Sequence, residues 1–143
     1  MSWQLTDDQL KLQAKARELA TEVIAPRAAD VDEAQEYPWA NVEALRDAGF
    51  TGMTVPTEFG GPGLSFLDAV LVVEEMAKVC GVTGRIAVEC NMGAISAVMA
   101  YGTDDQKKLA ADLVLSGDKP AICITEPGAG SSASMMTTRA DRR

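Results

Sequence analysis

Ala121-Ile122-Cys123-Ile124-Thr125 runs directly into Glu126-Pro127-Gly128-Ala129-Gly130-Ser131-Ser132, and at this junction the chain changes character. The first five residues are short, apolar and β-branched, the composition of a buried strand. The next seven carry little side-chain bulk, so their N–H groups and hydroxyls stand open to a planar or anionic ligand. There is no third glycine and no following helix, as a dinucleotide fingerprint would need, and no G-K-[ST], as a phosphate-binding loop would need. Composition therefore leaves a ligand loop and a plain turn both open. Met135 to Arg142 reads as a second strand. A two-stranded ribbon is marginal in water, so residues 118–143 read as the start of a β domain, cut short, with a boundary near Gly117.

Upstream of that boundary the periodicity is helical. Thr6-Asp7-Asp8-Gln9 has the form of a capping box, with Leu5 and Leu10 placed as a hydrophobic staple. Leu12, Ala16, Leu19, Ala20, Val23 and Ile24 then recur at three- and four-residue intervals until Pro26, which is expected to kink or end the helix. Asp30 to Glu36 is acidic and reads as a solvated connection or frayed turn. Tyr37-Pro38-Trp39 opens a second helix that stops at Gly49, and the Gly/Pro-rich stretch Thr51 to Gly63 reads as a loop. Ser65 caps a third helix ending at Gly81. Residues 85–100 are apolar nearly all round, which predicts one helix in the centre of a bundle. Thr103-Asp104-Asp105-Gln106 repeats the capping-box pattern and starts a fifth helix. The expected fold is mainly α: an antiparallel helical bundle over residues 1–117, followed by the first strands of a β domain over 118–143, α+β as a whole.

Composition removes several function classes. The 143 residues hold 13 basic and 21 acidic side chains, for a net charge of −8, and the basic ones are scattered, which disfavours nucleic acid. With no histidine, His-ligated metals, Ser-His-Asp triads and Cys-His pairs are excluded, and no metal site is expected. Cys80, Cys90 and Cys123 lack C-x-x-C spacing and an even count, so they read as reduced thiols packed as small hydrophobes in a cytoplasmic protein. Met1 to Asp8 has no export signal, and no apolar run reaches the roughly 18 residues a membrane span needs. Glu89, in the most apolar helix, must be paired, neutralised or facing a cavity; a narrow polar stripe with Arg85 or Asn91 is the plainer alternative. Gly60-Gly61-Pro62-Gly63 reads as a tight loop and the methionines as core filler.

Ala121 to Ser131 resembles the first signature of the flavin-dependent acyl-CoA dehydrogenases. Three further segments resemble that family in order and spacing: Val55-Pro56-Thr57-Glu58-Phe59-Gly60-Gly61-Pro62-Gly63-Leu64-Ser65, the helix Leu71 to Cys80, and Tyr101-Gly102-Thr103-Asp104-Asp105-Gln106-Lys107. Together they cover essentially the whole chain. The resemblance implies FAD as cofactor, with Ile122, Cys123, Ile124 and Thr125 along the isoalloxazine and Gly130 and Ser131 meeting flavin. It also implies an acyl-CoA substrate touched by Ser131 and, as a pocket-lining residue that selects shape or polarity, Glu89. The implied reaction converts the thioester to its trans-2-enoyl form by α-proton abstraction and hydride transfer to flavin N5. The implied base is a carboxylate beyond Arg143, so no residue of this chain is assigned as catalytic, and the chain alone is expected to be inactive. Partners implied are an electron-transfer flavoprotein, the remainder of the enzyme or a second subunit, and a homo- or hetero-tetramer. A non-catalytic helical partner subunit and a flavin oxidase or monooxygenase of the same superfamily are the alternatives. Ser132 stands where the family usually has Asp, and Ile122 where many members have an aromatic or polar residue.

Overall fold

The computed structural model describes residues 4–141, and its regular structure is helical. Three reciprocal caps set the starts of the main helices. Thr6 accepts from the Gln9 amide at 3.2 Å while Gln9 accepts from the Thr6 N–H at 3.1 Å, starting α1 (Asp7–Leu19). The same exchange occurs between Ser65 and Asp68 and between Thr103 and Gln106. The remaining α-helices are α2 (Ala28–Ala34), α3 (Trp39–Asp47), α4 (Phe66–Val79), α5 (Gly81–Asn91), α6 (Ala94–Tyr101) and α7 (Asp104–Leu115). Helix α4 packs against both α1 and α5, and α6 packs against α7. Ile24, Leu45, Phe50, Met53, Val72 and Met76 are fully buried in the core between them. No helix among the described residues is long and apolar enough to cross a membrane.

Two close fits hold α4. A Cβ at Gly84 would lie 2.7 Å from that of Ala77, so only glycine lets α4 and α5 approach this closely. On its other side, the Arg17 guanidinium donates to both oxygens of buried Glu75, at 3.0 and 3.2 Å, and Lys78 donates at 2.9 Å. The Arg17 hydrogen bonds, aided by Lys78, hold the Glu75 carboxyl below its ordinary 4.5 against the opposing effect of burial. An unfolded chain lacks these partners, so the pair stabilises the fold above that ordinary value and loses its effect as pH falls through the depressed one. In thermal melts Glu75→Gln should unfold at lower temperature than wild type at pH 7, and the gap should narrow as the pH is taken below the ordinary 4.5. A constant gap would contradict the assignment.

The structure corrects the sequence in two places among the helices. The first helix is distorted around Pro26, as expected, into a π turn at Ala20–Ile24 and a 3-10 turn at Ala25–Arg27 that absorb the missing N–H, but α2 then continues through the expected connection to Ala34. Gln35, left-handed at φ 52°, stops it. The single helix expected over 85–100 is two, separated at Met92-Gly93. The Asn91 amide donates to Ala87 and Phe50 carbonyls and its oxygen accepts from Met53 N–H, which ties the helix end to the 50–53 loop. Only α5 is central; in α6 Ile95 alone is buried.

The expected first strands are not formed either. Residues 121–125 are exposed and without regular structure, and the only β pairing among the described residues is the bridge between Glu126 and Ala129. A strand needs a ladder partner for its N–H and C=O groups, and no described segment offers an edge to Ile122–Thr125. Met135–Asp141 is likewise irregular apart from a 3-10 turn at Ala133–Met135, while Arg142 lies outside the described residues, as do residues 1–3 of the N-terminal stretch read for export signals. Cys80 and Cys90 are buried as expected, whereas Cys123 is exposed.

Candidate functional site

The site begins at the end of α7. Gly117, at φ 90°, lets the chain turn, and the Asp118 N–H reaches back to the Leu113 carbonyl at 2.9 Å. This returns Lys119-Pro120-Ala121-Ile122 across α5. Between them lies a cavity of about 560 Å³, the size of a small-molecule site. Val82, Ile86, Cys90 and Ile122 make its apolar wall; Arg85, Glu89, Tyr37 and Lys119 bring the polar groups.

The cavity charges are arranged unequally. Arg85 and Glu89, one helical turn apart on α5, form an ion pair through Glu89 Oε1; the Arg85 side chain is 67% exposed and that of Glu89 17%. Glu89 Oε2 is buried with no partner, lying over Gly93, where any side chain would collide with it. Lys119 Nζ sits 4.1 Å from the Tyr37 ring centre and 5.5 Å from that of Trp39, two rings that themselves meet edge to face. Burial, with Glu89 beside it, pushes the Cys90 thiol up to about 11, so it stays protonated and inert at neutral pH. Burial also raises the Tyr37 phenol, which remains a donor.

Of the residues singled out in the sequence, the structure brings Glu89 and Ile122 together in this cavity. Cys123, Ile124, Thr125, Gly130 and Ser131 lie outside it, all exposed. Beyond them the loop is pre-shaped. Glu126 and Ala129 exchange backbone hydrogen bonds, and the Glu126 carboxylate accepts from the Thr137 N–H at 2.9 Å, the Thr137 hydroxyl at 3.0 Å and the Thr138 N–H at 2.7 Å. Those backbone donors hold its carboxyl at about 2. No hydrogen bond among the described residues uses the backbone of 121–125 or the Thr125 hydroxyl, so these groups are free to meet a planar polar ring. Lys119 is the site cation the sequence did not nominate, while Arg85 entered only as a companion of Glu89 on a polar stripe, a pairing the structure forms. The i, i+4 spacing of Arg85 and Glu89 was a usable signal, whereas nothing local marked Lys119.

A second groove of about 540 Å³ runs between α6 and α7, lined by Ala97, Val98, Tyr101, Leu109 and Leu113 and without a charged side chain.

Comparison with known proteins places this geometry. Residues 6–118 match the family described as acyl-CoA dehydrogenase, N-terminal domain. The 3-sulfinopropanoyl-CoA desulfinase of Variovorax paradoxus is 67% identical over 141 residues, 99% of this chain and 35% of that protein. The short-chain specific acyl-CoA dehydrogenase of Clostridium acetobutylicum is 33% identical over 96% of this chain and 37% of that protein. A solved chain from the electron transferring flavoprotein of Acidaminococcus fermentans superposes with a TM-score of 0.87 at 32% identity, covering 94% of this chain and 36% of its own. The chain thus spans about a third of the relatives it matches. With the family's N-terminal domain matched over most of its length, the chain belongs to the acyl-CoA dehydrogenase family and corresponds to the N-terminal portion of its members.

Proposed function

We propose that the protein containing this chain is a flavoenzyme that removes the sulfinate group of 3-sulfinopropanoyl-CoA. The observation that carries this is the 67% identity to a desulfinase of that name, about twice the identity to the short-chain dehydrogenase. The cavity supports it chemically, because a short acyl chain ending in an anion needs an apolar wall and a cationic end, and Arg85 and Lys119 supply the latter.

FAD would be held by the backbone of Ile122, Cys123, Ile124 and Thr125, the Thr125 hydroxyl, and Gly130 and Ser131. These groups fit it, being exposed donors and acceptors without partners on a loop that Glu126 keeps in shape. When bound, FAD supplies an oxidising planar ring beside the thioester. Ser131 would also meet the CoA portion, and Glu89 would set the polarity of the acyl pocket through its hold on Arg85. In the net reaction the carbon–sulfur bond breaks, carbon takes a proton and sulfur takes hydroxide, so one water yields propanoyl-CoA and sulfite. No electron acceptor is consumed.

The second reading is oxidation of an acyl-CoA to its trans-2-enoyl form, with the base a carboxylate outside this chain and an electron-transfer flavoprotein as acceptor. The dehydrogenase relative favours it. Supplying the purified, flavin-loaded protein with 3-sulfinopropanoyl-CoA decides between them. The desulfinase predicts sulfite and propanoyl-CoA in equal amounts without dye reduction. Dye reduction by butanoyl-CoA with no sulfite release from the sulfinate substrate would overturn it.

A further inference from the structure

Lys119 differs from the other cation of the cavity in how its charge is balanced. The Arg85 charge is met by Glu89 on the same helix. Lys119 pairs with no carboxylate among the described residues; adjacent Asp118 spends an oxygen on the Lys119 backbone N–H at 2.8 Å. What holds the ammonium is the pair of rings, Tyr37 and Trp39. An aromatic face attracts a cation through its quadrupole but leaves the unit charge uncancelled. The rings therefore orient a flexible, entropy-rich side chain at the cavity rim and keep its charge available. Its neighbours Pro120, Ala121 and Ile122 line the same cavity, so an anion reaching Lys119 is also placed beside the segment that enters the Thr125 loop.

We infer that Lys119 is a specificity-determining residue, contacting the anionic end of the acyl group and selecting acyl-CoA thioesters that carry one over neutral thioesters of equal length. This rests on the anionic-substrate function proposed above. Arg85 supplies the forked hydrogen-bond geometry; Lys119 supplies the charge that Glu89 has not already offset.

The test is calorimetric titration of the flavin-loaded protein with two non-sulfinate probes. Succinyl-CoA carries a carboxylate where the substrate has its sulfinate, and butanoyl-CoA is its neutral counterpart. Lys119→Met, which keeps the apolar stem, should weaken succinyl-CoA by about 10- to 100-fold and leave butanoyl-CoA within about twofold, the effect of one charge-assisted hydrogen bond. Lys119→Arg should restore succinyl-CoA binding to within about threefold of wild type, which also shows that the turn tolerates substitution. Unchanged succinyl-CoA binding in Lys119→Met would overturn the role of Lys119. Equal weakening of both probes would do so too, by placing the ammonium against the CoA phosphates. A wild-type protein that does not prefer succinyl-CoA would overturn the anionic-substrate function and this role together.

Discussion

Arg85→Met in the flavin-loaded protein is expected to lower kcat/KM for 3-sulfinopropanoyl-CoA by roughly 30- to several-thousand-fold, with flavin content and melting temperature close to wild type. The range follows from truncating one member of a hydrogen-bonded charge pair at a binding site, where the partner left behind is part of the cost. Here that partner is Glu89. One of its oxygens is already buried without a hydrogen bond, and losing Arg85 would strand the other in the same cavity wall. The variant would thus lose a donor and gain an uncompensated anion facing an anionic substrate. Adding Glu89→Gln removes the stranded charge, so the double variant should recover part of the loss. Fold should survive, because the Arg85 side chain is 67% exposed. Wild-type kcat/KM in Arg85→Met would show that the acyl anion is recognised elsewhere.

Asn91→Leu is expected to have the largest effect on stability, about 3 kcal/mol or more, read as a fall of about 10 °C in thermal midpoint. Asn91 is fully buried at the C-terminal end of α5. Its side chain accepts from the Met53 N–H at 2.7 Å and donates to the Phe50 and Ala87 carbonyls at 2.8 and 2.9 Å. Leucine offers none of these and leaves buried groups of the 50–53 loop without partners, each of which costs about 1–3 kcal/mol. Because the same bonds part α5 from α6, melting should be accompanied by loss of the cavity that α5 walls. A shift of less than about 2 °C would mean that the loop finds other partners.

Some of this was legible locally and some was not. The capping boxes at Thr6 and Thr103 could be read because cap and third residue lie within one turn, and the structure forms both. Pro26 signalled the break in the α-helix, but whether helix resumes beyond it, as α2 does, depends on packing rather than on the residue itself. The break at Met92-Gly93 depends on Asn91 reaching a loop some forty positions earlier. Ile122–Thr125 has strand composition, but composition cannot supply the neighbouring edge a strand must pair with. In the site, the carboxylate of Glu89 was conspicuous in an apolar helix, and its link to Arg85 is a one-turn relation. Lys119 was invisible because its meaning comes from Tyr37 and Trp39, eighty residues away in the chain.

The most direct test of the account is a crystal structure of the flavin-loaded protein with succinyl-CoA. It should place the succinyl carboxylate in the cavity between α5 and residues 119–122, within hydrogen-bond reach of Arg85, with the flavin along Ile122–Ser131. An acyl end seated in the apolar groove between α6 and α7, or a flavin away from that segment, would contradict it.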